Sequence, residues 1–283
     1  MSSASTLRAG RTQRLLGAPL VWAFVAFNVL VLVWILASSV KGTRDIIASP
    51  WSVPDVIHWG NFERAWSAGN FGPAALNSLV LVGGTALATV LLAAPASYAL
   101  SRLGARSAGA ATSLFAIGLG IPAHAVFLPL YQVMAPLGLV NNLWGLWLLY
   151  TATSMPFAVF FLTGFFRSLP AELEEAAALD GASPTYTFWR IMLPLARSGL
   201  ITLLLLNVIN HWGETFFALV FIQDQQLQTL PLALLGFMQQ MQYNGADWGG
   251  LFAGIAVVVL PLVGLYVWLG RRIIEGMTLG SGK

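Results

Sequence analysis

The chain has 283 residues, of which 57% are hydrophobic and only 9% are charged, and its formal net charge is +3. About a quarter of the residues in a soluble globular domain are charged, so this composition excludes a water-soluble globule and predicts an integral membrane protein. The chain contains no cysteine, which excludes disulfides, thiolate catalysis and thiolate metal sites. Its basic residues are scattered, which indicates membrane orientation rather than nucleic-acid binding.

The first apolar run follows a basic N-terminal segment, residues 1–16, that contains three arginines. The run is longer than the apolar region of a cleavable signal peptide, which takes about 7–15 residues. We therefore predict a retained first span at 17–40, with a processing site at 37–39 as the alternative. Residues 41–71 contain three tryptophans and mixed charges, and they predict an extramembrane loop with interfacial aromatic residues.

Five further apolar segments follow. Residues 74–101 are rich in glycine and alanine, which permits close helix packing. No side chain between Arg106 and Arg167 is permanently charged. Because one span needs about 20 residues, we expect the Pro, Gly and Asn residues at 136–142 to divide this stretch in two. The predicted fold is all-α, with a single six-span transmembrane domain, 17–270. The predicted spans are 17–40, 74–101, 109–130, 143–166, 198–222 and 248–270, followed by a tail at 271–283.

The charge distribution predicts the orientation of these spans. Six spans place both termini, the loop 102–108 and residues 167–197 on the same side. Of the fourteen Lys and Arg residues, Lys41, Arg44 and Arg64 lie on the other side, which leaves eleven here. Basic loops stay in the cytoplasm. Both termini and residues 167–197 are therefore predicted to be cytoplasmic, in a multi-pass protein of the plasma or inner membrane.

One interior segment, residues 167–197, is neither apolar nor loop-like, and we call it the acidic segment. Acidic residues at 172–175 favour the start of a helix, and Gly181 permits a left-handed stop. Ser183-Pro184 predicts the start of a second short helix, and Leu193-Pro194 its end. The sequence therefore predicts a helix, a glycine turn and a second helix between two membrane spans.

Two alternatives apply to the acidic segment. A DNA-binding helix–turn–helix would need positive charge for the phosphates, but four acidic side chains stand here against three arginines, which argues against it. The other alternative is a solvated connector without a partner.

The spacing of the acidic segment resembles the EAA motif of the membrane subunits of ABC importers. Glu175-Ala176-Ala177 is followed after three residues by Gly181, then after nine by Ile191, and then by Leu193-Pro194. Residues 22–283 are similar to the maltose-type, carbohydrate-importing branch of this family. The similar stretches include Asn77-Ser78-Leu79, Ser97-Tyr98-Ala99-Leu100-Ser101-Arg102, Asp180-Gly181-Ala182-Ser183 and Thr229-Leu230-Pro231.

The resemblance implies a permease subunit, not an enzyme, that forms half of a translocation pathway for a sugar. It implies a second permease subunit in a heterodimer, two ATPase subunits that hold ATP and Mg, and an extracytoplasmic solute-binding protein. No cofactor, catalytic residue or nucleic-acid partner is expected on this chain. The implied ATPase-coupling residues are Glu172, Glu175, Ala176, Ala177, Asp180, Gly181, Ile191, Leu193 and Pro194. The helical spacing of Leu173, Ala176 and Ala177 predicts the packing face.

The fifth predicted span contains a polar stripe, which consists of Asn207, Asn210, His211 and Glu214. Their i, i+3, i+4, i+7 spacing places them on one face of a helix, and polar groups at such depth usually face a bundle interior or a water-filled path. The stripe predicts either a substrate-lining surface or interhelical hydrogen bonds. Gly213 stands where the family often has Asn. His124 is interpreted as a packing or hydrogen-bonded residue rather than a ligand, and the three histidines are too dispersed for a metal site.

Two further hypotheses concern function. His211 and Glu214 are compatible with an ion-coupled secondary transporter, and the family resemblance also allows an ABC permease for a non-sugar solute. The external loop 223–249 predicts a contact for the binding protein through Gln239, Gln242, Tyr243 and Asn244, with a re-entrant helix as the alternative.

Overall fold

The computed structural model describes residues 3–102 and 105–279, and it describes side chains for residues 19–102, 109–241 and 245–268. Most of the described residues are helical, and no strand occurs among them. The α-helices are α1 (Ser3–Ser39), α2 (Thr43–Ala48), α3 (Gly60–Ala68), α4 (Phe71–Arg102), α5 (Ala105–Leu119), α6 (Phe127–Met134), α7 (Leu143–Ser168), α8 (Glu172–Leu179), α9 (Pro184–Thr187), α10 (Leu193–Leu195), α11 (Arg197–Trp212), α12 (Phe216–Phe221), α13 (Leu230–Asn244) and α14 (Trp248–Leu279).

Four helices are long and apolar enough to cross a membrane. They are Pro19–Ser39 within α1, the whole of α4 and α7, and Trp248–Trp268 within α14. At 1.5 Å per residue, even the shorter stretches of 21 residues reach about 30 Å, which is the thickness of a hydrocarbon core. These helices cover four of the six predicted spans.

The predicted third span, 109–130, is not one continuous helix. Gly109–Leu119 and Ala123–Met134 meet at an angle of 84°. The bend lies at Gly120–Pro122, where Ile121 precedes a proline and is therefore disfavoured in the α region. The amide N–H of Gly120 bonds instead to the Ile117 carbonyl, at 2.9 Å.

The predicted fifth span, 198–222, is interrupted as well. Helix α11 ends at Trp212 and α12 begins at Phe216, so three residues between them lie outside both helices. At its other end α11 is bent by 70° from the preceding helix, Pro184–Leu195.

The chain forms two compact units, and the larger comprises residues 70–236 and 258–283. In this unit α4 packs along α7, and α5 and α11 pack against the same pair. Among the described residues, its core includes two large clusters. One is centred on Leu162, Phe166 and Met192, and the other on Leu146 and Phe221.

Close helix approach in the larger unit depends on a glycine. A Cβ at Gly199 of α11 would lie 2.7 Å from the Phe165 ring of α7. This separation is too short for any side chain, so glycine allows α11 to pack directly on α7.

The smaller unit comprises residues 1–69 and 237–257. Lys41 is 1% exposed, and its ammonium group donates to the carbonyl oxygens of Ser49 and Pro50 and to the Ser52 hydroxyl, at 3.2–3.3 Å. A buried charge is costly unless its donors are satisfied, and here three neutral oxygens take the three N–H groups. The lysine therefore holds the segment after α2 against the end of α1.

A buried asparagine joins three segments of the smaller unit. The Asn61 amide donates to the carbonyls of Ser39 and Lys41, each at 2.8 Å. A Cβ at Gly249 would lie 2.7 Å from both the Asn61 amide nitrogen and the Lys41 oxygen. The start of α14 can therefore approach this network only with glycine at position 249.

An ion pair completes the smaller unit. Arg64 of α3 contacts Asp247 through two hydrogen bonds, Nε–Oδ2 at 2.9 Å and Nη2–Oδ1 at 3.2 Å. Asp247 also accepts from the Gly250 amide, at 3.0 Å, and so caps the first turn of α14. The hydrogen bond from Arg64 holds the pKa of the Asp247 carboxyl below its ordinary value.

The lowered pKa of Asp247 makes a contribution to stability that depends on pH. The unfolded chain binds this proton more readily, so the contribution is present above the unfolded pKa, about 4, and is lost as pH falls through the folded pKa. Asp247→Asn keeps a capping oxygen but removes the charge. Because half of Arg64 is exposed, we expect a loss of about 0.2–1 kcal/mol at pH 7.

Thermal unfolding of the purified chain between pH 7 and pH 3 measures this loss. The difference between wild type and Asp247→Asn should shrink towards zero at the acidic end. Asp55→Asn serves as the control, because Asp55 is exposed and should show no such convergence. A difference that stays constant over this range would contradict the assignment.

Candidate functional site

The first helix of the acidic segment, α8, begins with Glu172, Glu174 and Glu175 in its first turn. Negative charge at this position is stabilised by the helix dipole. At the other end, Gly181 has φ +80°, and the amides of Gly181 and Ala182 bond to the carbonyls of Ala178 and Ala177, at 3.0 and 2.9 Å. This is a Schellman motif, which satisfies the last carbonyls of the helix. The left-handed stop that the sequence predicts is present.

The second helix of the acidic segment begins as predicted. The Ser183 hydroxyl accepts from the Tyr186 amide, at 3.2 Å, and Pro184 occupies the first turn. The helix continues through a π-helical turn, Phe188–Met192, and then α10. Its predicted end at Leu193-Pro194 is exceeded by one residue. Phe188 and Met192 are buried in the larger unit, so this second half anchors the segment.

The acidic segment has a large exposed surface. The side chains of Glu172, Glu175, Ala176, Asp180 and Gly181 are exposed, as is Pro194, whereas Ile191 and Leu193 are half-buried. Large hydrophobic side chains of the segment are exposed too, and the most exposed are Leu179 at 89%, Tyr186 at 56% and Trp189 at 54%. Such a surface, acidic and apolar together, is suited to contact with another protein. Tyr186 and Trp189 could have been identified from the sequence as candidate contact residues, because they are large aromatic residues in a segment predicted to lie outside the membrane.

The predicted packing face of α8 needs correction. Ala177 is buried, but Ala176 is exposed and Leu173 is 39% exposed. The inward stripe instead contains Glu174 and Ala177, which are three residues apart and share a face. Glu174 points inward because Arg102, at the end of α4, donates to its carboxylate, with Nε–Oε1 at 2.6 Å. A sequence signal for this pair does exist. An arginine ends the second predicted span, and the acidic segment is predicted to lie on the same side of the membrane.

The polar stripe is largely committed to internal hydrogen bonds. The buried Asn207 amide donates to the Leu203 carbonyl of its own helix, at 3.0 Å. The Nε2 atom of His211 lies 2.8 Å from the Ser154 hydroxyl on α7, and its ring stacks on Tyr150. Asn210 is the exposed member of the stripe. His211 therefore makes an interhelical hydrogen bond, which is one of the two roles predicted for the stripe. Asn210 differs from the other three residues because its side chain is exposed.

Glu214 does not continue the face of α11, because that helix ends at Trp212. Its carboxylate accepts from the Phe217 and Ala218 amides, at 2.8 and 3.3 Å, and from the Tyr150 hydroxyl. It therefore caps α12 at the interruption. The ring of His124 stacks on Phe217 with ring centroids 5.1 Å apart, in agreement with its interpretation as a packing residue.

Residues 223–249 are not simply a loop. Most of them form α13, which extends to Asn244. Gln239 is exposed. The side chains of Gln242, Tyr243 and Asn244 lie outside the described residues, so the structure gives no contacts for this part of the predicted surface. Among the residues that the structure does describe, no cluster of His, Asp and Glu side chains is suited to a metal ion.

Comparison with known proteins places the whole arrangement in one family. A family model described as a binding-protein-dependent transport system inner membrane component matches residues 90–277, more than half of the chain. The diacetylchitobiose uptake system permease protein NgcG of Streptomyces coelicolor is 32% identical over 262 residues, 93% of this chain and 86% of that protein. The melibiose/raffinose/stachyose import permease protein MelC of Bacillus subtilis is 31% identical over 278 residues, 98% of this chain and 100% of that protein.

A solved structure has the same fold. It is a chain of a bacterial ABC transporter involved in the import of the acidic polysaccharide alginate, with a TM-score of 0.79 at 21% identity. The match covers 93% of this chain and 97% of that chain. From the family match and these nearly full-length relatives, the chain belongs to the family of binding-protein-dependent transport system inner membrane components, the permease subunits of ABC importers.

Proposed function

We propose that this chain is the sugar-translocating permease subunit of an ATP-driven importer, and that the acidic segment is its contact with the ATPase. The observation that carries the proposal is the surface of the acidic segment. It exposes Glu175 and Asp180 beside Leu179, Tyr186 and Trp189, while Phe188 and Met192 fix its second half in the core. A firmly anchored segment with a free acidic and apolar face can pass the motion of a docked partner into the membrane helices.

The proposed topology has six spans with both termini in the cytoplasm. Four long apolar helices support it, and we take the bent pair Gly109–Leu119 and Ala123–Met134 as the third span. The helix Pro184–Leu195, which precedes α11 at a bend of 70°, stays in the acidic segment. We take the fifth span to run from the bend at Arg197 through α12. The excess of Lys and Arg on the side of the acidic segment supports the orientation, because only Lys41, Arg44 and Arg64 fall on the other side.

The proposed assembly contains a second permease subunit in a heterodimer, two ATPase subunits and an extracytoplasmic solute-binding protein. ATP and Mg would be held by the ATPase subunits, and this chain would hold no cofactor. The exposed acids of α8 suit a basic cleft on the ATPase. On the opposite side of the membrane, we propose that the end of α13, from Gln239 to Asn244, contacts the binding protein.

The proposed solute is an uncharged sugar. NgcG and MelC, which align with most of this chain, are named as permeases for diacetylchitobiose and for melibiose, raffinose and stachyose. We further propose that the polar stripe borders the pathway, with Asn210 as the member that touches sugar and Asn207, His211 and Glu214 as its internal support. The family to which the chain belongs disfavours the ion-coupled alternative. The two residues that motivated it, His211 and Glu214, are engaged in hydrogen bonds to Ser154, Tyr150 and the start of α12.

Uptake by the assembled transporter in proteoliposomes tests the solute and the energy source together. We expect ATP-dependent uptake of at least one sugar from a panel of diacetylchitobiose, melibiose, raffinose and stachyose, and none of amino acids. The chain alone, supplied with a proton or sodium gradient and no ATP, should be inert. Gradient-driven uptake by the chain alone would support a secondary transporter instead.

Gly181→Val tests the turn of the acidic segment. At φ +80° a β-branched residue is strained by about 1–2 kcal/mol, so the turn should rearrange and displace α8 from the ATPase. We expect ATP-driven uptake to fall about fivefold or more with an unchanged amount of the chain in the membrane.

The matched control for this variant is Gly164→Ala in α7. A Cβ at Gly164 meets nothing within 4 Å, and alanine favours a helix, so uptake should stay at the wild-type level. Wild-type uptake by Gly181→Val would contradict the coupling role of the turn.

Asn210→Leu tests the proposed contact with sugar. Loss of one hydrogen bond to the solute, about 0.5–1.5 kcal/mol, should raise KM about two- to tenfold and leave the maximal rate near wild type. Asn28→Leu is the control, since Asn28 is also an exposed asparagine on an apolar helix and bonds to the Phe24 carbonyl of its own helix. An unchanged KM for Asn210→Leu would remove this residue from the pathway.

A further inference from the structure

We propose that the ion pair between Arg102 and Glu174 is a strut that holds α8 on the end of α4 and sets the position in which α8 meets the ATPase. The inference rests on the proposed function of the acidic segment. It assigns a positioning role to two residues outside the motif spacing that identifies this segment.

The geometry of the pair is that of a strong, partly buried interaction. Arg102 is the last residue of α4, and its Nε atom donates to Glu174 Oε1 at 2.6 Å, with side-chain exposures of 23% and 20%. Charge-assisted hydrogen bonds of this length are stronger than neutral ones. Because both side chains are largely withdrawn from solvent, salt screens the pair less than it screens an exposed pair.

Glu174 differs from the other acids of the segment. Glu172, Glu175 and Asp180 are exposed, whereas Glu174 is half-buried. The apolar residue that α8 buries fully is Ala177, whose side chain is a single methyl group, and Leu173 remains 39% exposed. Such a small contact area fixes the orientation of a two-turn helix weakly. The main directional contact of α8 is therefore the carboxylate of Glu174, which accepts from the guanidinium of Arg102 and also interacts with the Tyr98 hydroxyl.

The α4 side of the strut is itself firmly held. Tyr98, one turn before Arg102, packs its ring against Phe166 of α7 and Phe188 of the acidic segment, with centroids 5.6 and 5.0 Å apart. The end of α4, the end of α7 and the second half of the segment thus share one aromatic cluster. The ion pair attaches α8 to this cluster.

Neutralising Glu174 should disturb the local structure, because the guanidinium of Arg102 is held in a partly buried position. Its Nη2 atom is buried and has no hydrogen-bond partner among the described residues. Loss of the Glu174 charge would leave a desolvated cation without compensation. We therefore expect α8 to shift or to become mobile when the carboxylate is neutralised.

The mechanical consequence follows from the length of α4. Its 32 residues extend about 48 Å, and the helix packs along α7. A displacement of α8 by the ATPase would therefore be passed towards the far side of the membrane along α4, in which the interior Pro95 provides a site for a bend. The acidic segment would have two connections to the bundle, the buried second helix and this strut.

Two measurements on the assembled transporter test the strut, with MgATP as the only small molecule. The first is the distance distribution between spin labels at Leu91→Cys on α4 and Ala178→Cys on α8, both exposed positions in a chain without other cysteines. The second is the ATPase subunit retained after washing, together with its rate of MgATP hydrolysis. The variants are Glu174→Gln, Arg102→Gln, Arg102→Lys and the exchange Arg102→Glu with Glu174→Arg, and the control is the exposed Arg167→Gln.

We expect a single narrow distance in wild type, Arg167→Gln and Arg102→Lys. Glu174→Gln and Arg102→Gln should broaden it and should lower ATPase retention or hydrolysis about fivefold or more. The exchange should restore both, which loss of packing alone would not allow.

Three outcomes would count against these assignments, and they are distinguishable. Narrow distances in Glu174→Gln and Arg102→Gln would show that the pair does not hold α8. Broad distances in these variants, with wild-type ATPase retention and hydrolysis, would show that the strut holds α8 but has no role in coupling. A wild-type assembly that retains no ATPase subunit would instead reject the proposed function, before any variant is compared.

Discussion

Backbone hydrogen bonding is the constraint on which the rest of this structure depends, because a hydrocarbon environment offers no water to replace a missing partner. Long helices such as α4 and α7 satisfy most of it within themselves, and only their interior prolines, Pro95 and Pro156, lack the N–H that would bond to the preceding turn. Where a helix stops inside an apolar stretch, a side chain must take over. Glu214 does so between α11 and α12, since it accepts from the amides of Phe217 and Ala218 and is tied to α7 through Tyr150.

The acidic segment follows the opposite logic. It buries little apolar area, so its conformation is fixed by local backbone motifs and by a few buried side chains. The Schellman turn at Gly181 and the cap at Ser183 define its shape, and Phe188 and Met192 fix it in the core. The remaining acidic and apolar surface is left for a partner. A segment of this kind can be stiff and still present a large exposed face, which suits it to carry force.

Local signals in the sequence predicted most of the fold. Length and hydropathy located the long helices, and Gly181 and Ser183-Pro184 located the turn and the second helix, because a left-handed glycine and a capping serine act on their own neighbours. Tertiary contacts could not be predicted in the same way. The periodicity that placed Glu214 on one face with Asn207 assumed an unbroken helix, and the inward orientation of Glu174 depends on Arg102, 72 positions earlier. The candidate site was therefore predicted in its location but not in the pairing of its side chains.

In the proposed topology Lys41 lies on the side opposite the acidic segment, and its enclosure bears on the charge that this side presents. Its ammonium group is surrounded by neutral oxygens, and Arg64 is neutralised by Asp247. Of the three basic residues there, Arg44 alone is exposed without an ion pair among the described residues. Residues 41–71 also contain three acidic residues, Asp45, Asp55 and Glu63, so the formal net charge of this stretch is zero and an anionic solute would gain no net attraction on approach. A neutral molecule would cross this surface without an electrostatic penalty, and its selection would depend on shape and hydrogen bonding.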